Sequence, residues 1–347
     1  MTAPLSPDAI RQARHDNPKA RARDLAASLG ISEAELVAAH VGQGATRIDA
    51  NPDRLVDEVA ALGDVMALTR NESCVHERRG FYDGYHGGGH AAMVLGPEID
   101  LRIFPKHWVH GFAVVEDGPD GPKRSLQVFD AAGDAIHKIH LKPESDVAAF
   151  DRLVADLRLP GQSPQQSVQP RRALDPARAD AARAADLREA WDRMTDTHQF
   201  VSILRKLDMN RLGAYRIAGA PYVRPLMAGA VTQVLETCAA DRIPVMVFVG
   251  NMGCIQIHGG LIDKVVPMGP WINVMDPRFN LHLRTDRIAE VWCVNKPTRT
   301  GAAISVEAFD AHGELIVQIF GYRKDAPPDA WNALTLSLPG LREEVPA

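Results

Sequence analysis

The amino-acid sequence predicts an α+β protein made by tandem duplication, each half a helical cap followed by a large antiparallel β-sheet. The first observation behind this is an internal repeat. Sliding the chain by 180 residues aligns 71–142 with 251–322 without a gap, and 17 of those 72 positions are identical, against roughly 4 or 5 expected from ordinary residue usage. The pairs include Asn71/Asn251, Cys74/Cys254, Pro97/Pro277, Leu101/Leu281 and the string Phe129-Asp130-Ala131, which recurs as Phe309-Asp310-Ala311. The second observation is a meander of short β-rich runs at 92–95, 99–104, 109–116, 125–129 and 135–141, separated by turn residues. The third is a helix pair at 17–42 that returns, at a shift near 178, over 204–219.

The elements follow in order. Residues 17–42 read as two short helices broken at Leu29-Gly30-Ile31, and Ser32 with Glu35 forms a capping box for the second. The pair resembles a helix-turn-helix, but its recurrence in the other half makes it scaffold rather than a reader of DNA. A helix is expected at 53–62, a run of strands from 65–68 onward, and a hairpin loop at 130–134. Residues 145–158 read as helical. Residues 160–176, PGQSPQQSVQPRRALDP, are the most Pro/Gln/Ser-rich in the chain and read as an unconstrained linker. The expected domains are 1–159, a linker at 160–180, and 181–347.

Composition narrows the function. A net charge of −5 and 46 % hydrophobic residues fit a globular protein with a substantial core and argue against a nucleic-acid coat. No apolar run is long enough for a membrane span and the first residues do not read as a secretory leader, so a cytoplasmic protein is expected. The four cysteines form no C-x-x-C pair and are expected to be reduced and mostly buried. The 13 histidines include no H-E-x-x-H or similar spacing.

Chemistry confined to one site should appear as asymmetry between the repeats. Residues 184–207 read as one helix with Leu187, Trp191, Met194, Val201 and Leu204 on one face, and His198 falls in that stripe. Two readings are open: a buried imidazole satisfied by a hydrogen bond, or a ligand to iron. The first half has no counterpart to this histidine. Arg211 faces a position near Glu33, Lys296 replaces Glu116, and Gln318, Phe320 and Tyr322 stand where the first half has Lys138, His140 and Lys142; conversely, Arg102 and Phe104 become His282 and Arg284. Arg211, Lys296 and Arg323 taken singly read as solvated cations. Together with one imidazole and aromatic rings, such cations would suit a flat apolar dianion with a metal at its centre.

The strings HERRGFYDGYHGG, EIDLRIFPKHWVHGFAV, DTHQF, GNMGCIQIHGG, GPWINVMDPRFNLHLR and LIVQIFGYRK resemble the bacterial haem-utilisation family called HemS, HmuS, ChuS, ShuS or PhuS, over nearly the whole chain. The resemblance implies a tandem repeat whose two sheets pack as a central sandwich, with haem b held at the C-terminal half. It implies His198 as the proximal ligand of the haem iron, Arg102 as the distal residue that would be catalytic in haem degradation, and Phe104 beside it. It further implies Arg211 and Lys296 near the propionates and Gln318 and Arg323 as further pocket residues. Family members are described both as carriers in iron acquisition and as haem-degrading enzymes. The implied partners are haem, a haem acceptor such as a haem oxygenase, and the inner-membrane haem importer, with no stable nucleic-acid partner. No dinucleotide-binding fingerprint, flavin or Fe–S motif is present, so electrons for degradation would come from outside the chain.

Overall fold

The computed structural model describes residues 5–322 and 328–341. In chain order the first repeat runs α1 (Pro7–Asp16), α2 (Ala22–Leu29), α3 (Glu33–Ala38), β1 (Ala45–Ile48), α4 (Pro52–Val59), β2 (Val65–Arg70), β3 (Cys74–Gly80), β4 (Tyr85–His86), β5 (Ala92–Leu95), β6 (Asp100–Ile103), β7 (His110–Glu116), β8 (Lys123–Phe129), β9 (Ala135–Leu141) and α5 (Val147–Leu157). The second runs α6 (Ala184–Asp192), α7 (Gln199–Leu207), α8 (Arg211–Ala218), β10 (Val223–Leu226), α9 (Ala230–Ala240), β11 (Val245–Gly250), β12 (Cys254–Gly260), β13 (Val265–Met268), β14 (Trp271–Met275), β15 (Phe279–Arg284), β16 (Glu290–Lys296), β17 (Ala303–Phe309), β18 (Leu315–Gly321) and α10 (Asp329–Ser337). The expected α+β tandem architecture is present, with two large antiparallel sheets. Strand β3 escaped the sequence reading because CVHERRG carries His76, Glu77, Arg78 and Arg79 in a row and little alternation.

The chain divides into two compact units: Met1–Arg70, His76–Arg172 and Gly250–Gln256 form unit 1, and Asn71–Val75, Ala173–Val249 and Ile257–Ala347 form unit 2. Each unit contains the five-strand order its repeat dictates, β1-β7-β8-β9-β2 in unit 1 and β10-β16-β17-β18-β11 in unit 2. The repeat extends to hydrogen-bond register: Ala113 faces Leu126 as Cys293 faces Val306, and both β8–β9 and β17–β18 carry a bulge, at Val128/Phe129 and Ala308/Phe309.

In both units α4 and α5, or α9 and α10, cover one face of the sheet with an aliphatic core. The remaining helices take the other face, α3 against Phe112, Val114 and Phe129, and α6–α8 against Trp292, Val294 and Phe309. The capping box of α3 forms as expected, with Ser32 and Glu35 bonding reciprocally.

The short segments that each repeat lends to the other unit are tied down by an asparagine. Asn251 Nδ2 donates to the carbonyls of Arg70 and Ile136, each at 2.9 Å, while its Oδ1 accepts from the N–H groups of Gly253 and Cys254, each at 3.0 Å. Asn71 does the same in unit 2, donating to the Ile316 carbonyl at 2.8 Å and accepting from Ser73 and Cys74. Cys254 and Cys74 follow as buried core residues of these units. All four cysteines are free thiols, three of them buried.

The linker is not unconstrained, and the physical reason is Arg47. Its guanidinium stacks 5.0 Å from the Phe112 ring and donates to the carbonyls of Ser163 and Gln165 and to the Gln166 side chain, while Gln162 brackets the Arg47 backbone. Farther along, Gln169 N–H donates to the Ala131 carbonyl at 2.7 Å and Arg171 forks onto Asp134 at 2.7 Å twice. A polar, Pro-rich segment that sequence composition reads as free chain is thus a strap on unit 1.

Candidate functional site

The 184–207 stretch is two helices, not one, and His198 is not in a buried stripe. Helix α6 ends at Asp192 and α7 begins at Gln199. Thr195, Asp196 and Thr197 are poor helix formers whose side chains compete for backbone groups. Asp196 Oδ1 accepts from His198 N–H at 2.8 Å, and Gln199 Oε1 accepts from Thr195 N–H at 2.8 Å. The chain therefore folds back: Trp191 of α6 meets Phe200 of α7 edge-on, with ring centroids 4.6 Å apart. Leu187, Trp191, Met194 and Leu204 are buried as expected, but Val201 is 51 % exposed.

His198 stands at the outer start of α7 with its side chain 92 % exposed. Its Nδ1 donates to Asp196 Oδ1 at 2.7 Å, which assigns the proton to Nδ1 because a carboxylate only accepts. Nε2 makes no hydrogen bond among the described residues. The bonds from His198 lower the Asp196 carboxyl below its ordinary range, first through the backbone N–H and then through the ring. A carboxylate behind an imidazole whose other nitrogen is open is the arrangement that orients histidine for a metal and raises its basicity as a donor.

Two residues beyond His198, Phe200 roofs a buried ion cluster. Glu307 of β17 is fully buried, and its two oxygens receive four bonds: Lys296 Nζ at 3.0 Å, Ser305 Oγ at 2.8 Å, Arg211 at 3.1 Å and Tyr215 Oη at 2.9 Å. Lys296 also donates to Tyr215 Oη at 2.9 Å. Burial raises the Glu307 carboxyl, but Lys296 and Arg211 with the Ser305 hydroxyl outweigh it and hold it at about 2. Burial lowers the Lys296 ammonium to about 8 against the pull of Glu307. Arg211 is raised above its ordinary value, because Tyr215 and Glu307 overcome the burial that would lower it.

The reading of Lys296 as a solvated cation is therefore corrected. Its side chain is 3 % exposed because the strand points it under α7 and α8, where only an ion partner makes a charge tolerable. Arg211, at the first turn of α8, keeps 28 % of its side chain exposed.

Beside this cluster the sheet face becomes apolar. Gln318 lies opposite Glu307 on one side and Phe248 on the other, Phe320 lies opposite Met246, and the rings of Phe248 and Phe320 meet edge-on at 5.2 Å. Glu307, Tyr215, Phe200 and Phe248 were absent from the sequence reading. Glu307 had a usable signal, since it replaces Gln127 of the first repeat within an aligned strand. Tyr215 and Phe248 had none, an aromatic ring in a helix or strand being ordinary core.

Of the residues singled out from sequence, unit 2 brings together Arg211 and Lys296, with Gln318 opposite their shared partner Glu307 and His198 two residues from the Phe200 ring that covers them. Arg102 and Phe104 belong to unit 1. Arg102 lies on β6, its side chain 32 % exposed, bonded to the Asp100 carboxylate and, at 3.0 Å, to the Leu101 carbonyl. Phe104 follows the strand and its N–H donates to the Gly253 carbonyl at 2.9 Å. Arg323 lies outside the described residues. Among the described residues no group of three or more His, Cys, Asp or Glu side chains could hold a metal ion.

Comparison with known proteins decides the family. The haemin-degrading HemS/ChuX domain matches twice, over residues 30–157 and 208–338. The chain belongs to this family. The hemin transport protein HmuS of Yersinia pestis is 38 % identical over 322 residues, covering 92 % of each chain. Among solved structures, the haem-bound form of PhuS, a haem-binding protein from Pseudomonas aeruginosa, is 44 % identical and superposes with a TM-score of 0.92 over 97 % of this chain and 100 % of that one. ChuS, described as an Escherichia coli haem oxygenase, is 34 % identical with a TM-score of 0.85 over 94 % and 98 % of the two chains. The two matched segments of this HemS/ChuX member are the two repeats read from its sequence.

Proposed function

We propose that this HemS/ChuX member binds haem through unit 2, with His198 Nε2 as axial donor to the iron and Arg211 receiving a propionate. The observation that carries this reading is the Asp196–His198 pair: an exposed imidazole whose Nδ1 is held at 2.7 Å by a carboxylate and whose other nitrogen faces outward. The Met246, Phe248 and Phe320 face offers apolar surface for a macrocycle, with Gln318 at its edge. Relatives of both kinds, a hemin transport protein and a haem oxygenase, support haem as the ligand.

Carriage is the first role. An axial donor on an exposed helix start can be reached by a competing ligand, which suits receipt of haem from an importer and release to an acceptor such as a haem oxygenase. Degradation is the second role, favoured by the ChuS likeness. Bound haem would supply the iron chemistry that opens the ring, given oxygen and electrons from outside the chain. The residue we propose as hydrogen-bond donor in that role is Arg102, with Phe104 two residues along the chain.

Hemin titration of the parent and His198→Ala tests the binding site. The parent should develop a Soret band that His198→Ala abolishes or strongly shifts; identical spectra and affinities would remove His198 as ligand. Adding reductant to the loaded parent separates the roles, since a persistent Soret band supports carriage and a tetrapyrrole product with iron release supports degradation. In the latter case Arg102→Ala should spare ferric binding and slow product formation.

A further inference from the structure

We infer that Lys296 acts on a carboxylate ligand only indirectly, by neutralising Glu307, so that the charge of Arg211 remains available to the ligand; Glu307 and Lys296 are positioning residues and Arg211 alone makes the contact. The inference rests on unit 2 being the haem site.

The geometry encloses the Lys296 ammonium. An ammonium has three N–H groups. One points to Tyr215 Oη at 2.9 Å and one to Glu307 Oε1 at 3.0 Å, while the Phe200 ring stands over the nitrogen with its centroid at 4.9 Å. With a side chain 3 % exposed, Lys296 is closed to a ligand.

Arg211 is the opposite case. Only its Nη1 is engaged, by Tyr215 and Glu307, each at 3.1 Å. The Nε–Nη2 edge makes no hydrogen bond among the described residues, and 28 % of the side chain is exposed. That edge is the one a carboxylate grips with two parallel bonds. Glu307 thus pins Nη1 and leaves the Nε–Nη2 edge without a hydrogen-bond partner among the described residues.

Charge counting completes the argument. Arg211 and Lys296 against Glu307 leave one positive charge. Without Lys296, Glu307 would cancel Arg211 and the outer edge would face a propionate with no net charge. Without both Glu307 and Lys296 the single positive charge returns.

The test is a double-variant cycle read with hemin and with hemin dimethyl ester, whose propionates are capped. Lys296→Met should weaken hemin binding about tenfold while leaving the ester nearly unchanged. Glu307→Gln should tighten hemin, and Lys296→Met/Glu307→Gln should return it to within about threefold of the parent. A double variant no tighter than Lys296→Met would show a direct contact by Lys296 and overturn the inference. If Lys296→Met does not fold, by circular dichroism and thermal melting, Glu307→Gln decides alone, because weaker hemin binding there contradicts the charge count. A parent that binds hemin and its ester equally would overturn this inference and leave haem binding intact; a parent that binds neither would end both.

Discussion

Asp196 orients the exposed His198 ring from two residues away. Its carboxylate fixes the backbone of the α6–α7 turn and the tautomer of the His198 ring with one oxygen. Asp196→Asn should therefore leave the fold intact and weaken hemin binding about 10- to 100-fold, the usual cost of losing the group behind a metal-bound imidazole. Equal affinity in a hemin titration would show that the pair is incidental. The sequence gives the histidine but misplaces it. Periodicity saw His198 fall in register with Met194 and Leu204, because Thr195-Asp196-Thr197 contains neither glycine nor proline to mark a break. The break comes instead from side-chain to backbone bonds, which a helical wheel does not register. The same limitation hid the role of Lys296. A charge swap at the end of an aligned strand was visible, whereas its burial depends on Glu307, Tyr215 and Phe200 converging from three other elements.

At the scale of the element, strands were the most legible part. Strand β9 has the bounds its alternation predicts, and the Asp130-Ala131-Ala132-Gly133-Asp134 loop turns as expected, with Asp130 Oδ1 accepting from Ala132 and Asp134 N–H at 2.9 Å each and Gly133 at φ 80°. The 160–172 strap was the least legible, since composition reports flexibility but not a guanidinium waiting under it. Arg47→Ala removes the bonds to Ser163, Gln165 and Gln166 together. Limited proteolysis should then cut within 160–172 several-fold faster while the melting temperature changes little, this being surface. An unchanged cutting rate would mean that Gln162, Gln169 and Arg171 hold the strap without the guanidinium. In helix α8, Gly213 has a plain cause: a Cβ there would stand 2.1 Å from the Arg178 carbonyl oxygen, so the chain entering unit 2 can pass only over a glycine.

Across the whole molecule the repeat was readable as identity, and the structure supplies its reasons. Asn71/Asn251 and Cys74/Cys254 match because each asparagine satisfies buried backbone groups in the unit that receives it. Asn251→Ala would strand the carbonyls of Arg70 and Ile136 and the N–H groups of Gly253 and Cys254, at about 1–3 kcal/mol for each group left buried and unpaired. Thermal melting should show a clear loss, and a change within about 0.5 kcal/mol, as for a surface site, would contradict the role given to it.

Unit 1 also carries a pH signature. His137 is enclosed by Thr69 at 2.8 Å, by Tyr82 and by the stacked Trp108 ring, and burial pulls its imidazole down to about 3; burial and the neighbouring lysines pull His140 to about 4. An unfolded imidazole takes a proton near 6.5. The unfolded chain therefore binds more protons than the native one between about pH 3 and 6.5, and stability falls as pH drops through that window. Urea midpoints measured from pH 7 to 4 should decline, and His137→Gln should flatten the decline even if it lowers the midpoint; parallel slopes would exclude His137 as a source.

The lent segments make the two repeats inseparable in a particular sense. Severing the chain at Arg172 would yield a fragment that carries all of α1–α5 yet lacks Gly250–Gln256, and with it the amide that closes the ends of β2 and β9. Half of this chain is thus an unfinished body rather than a small domain.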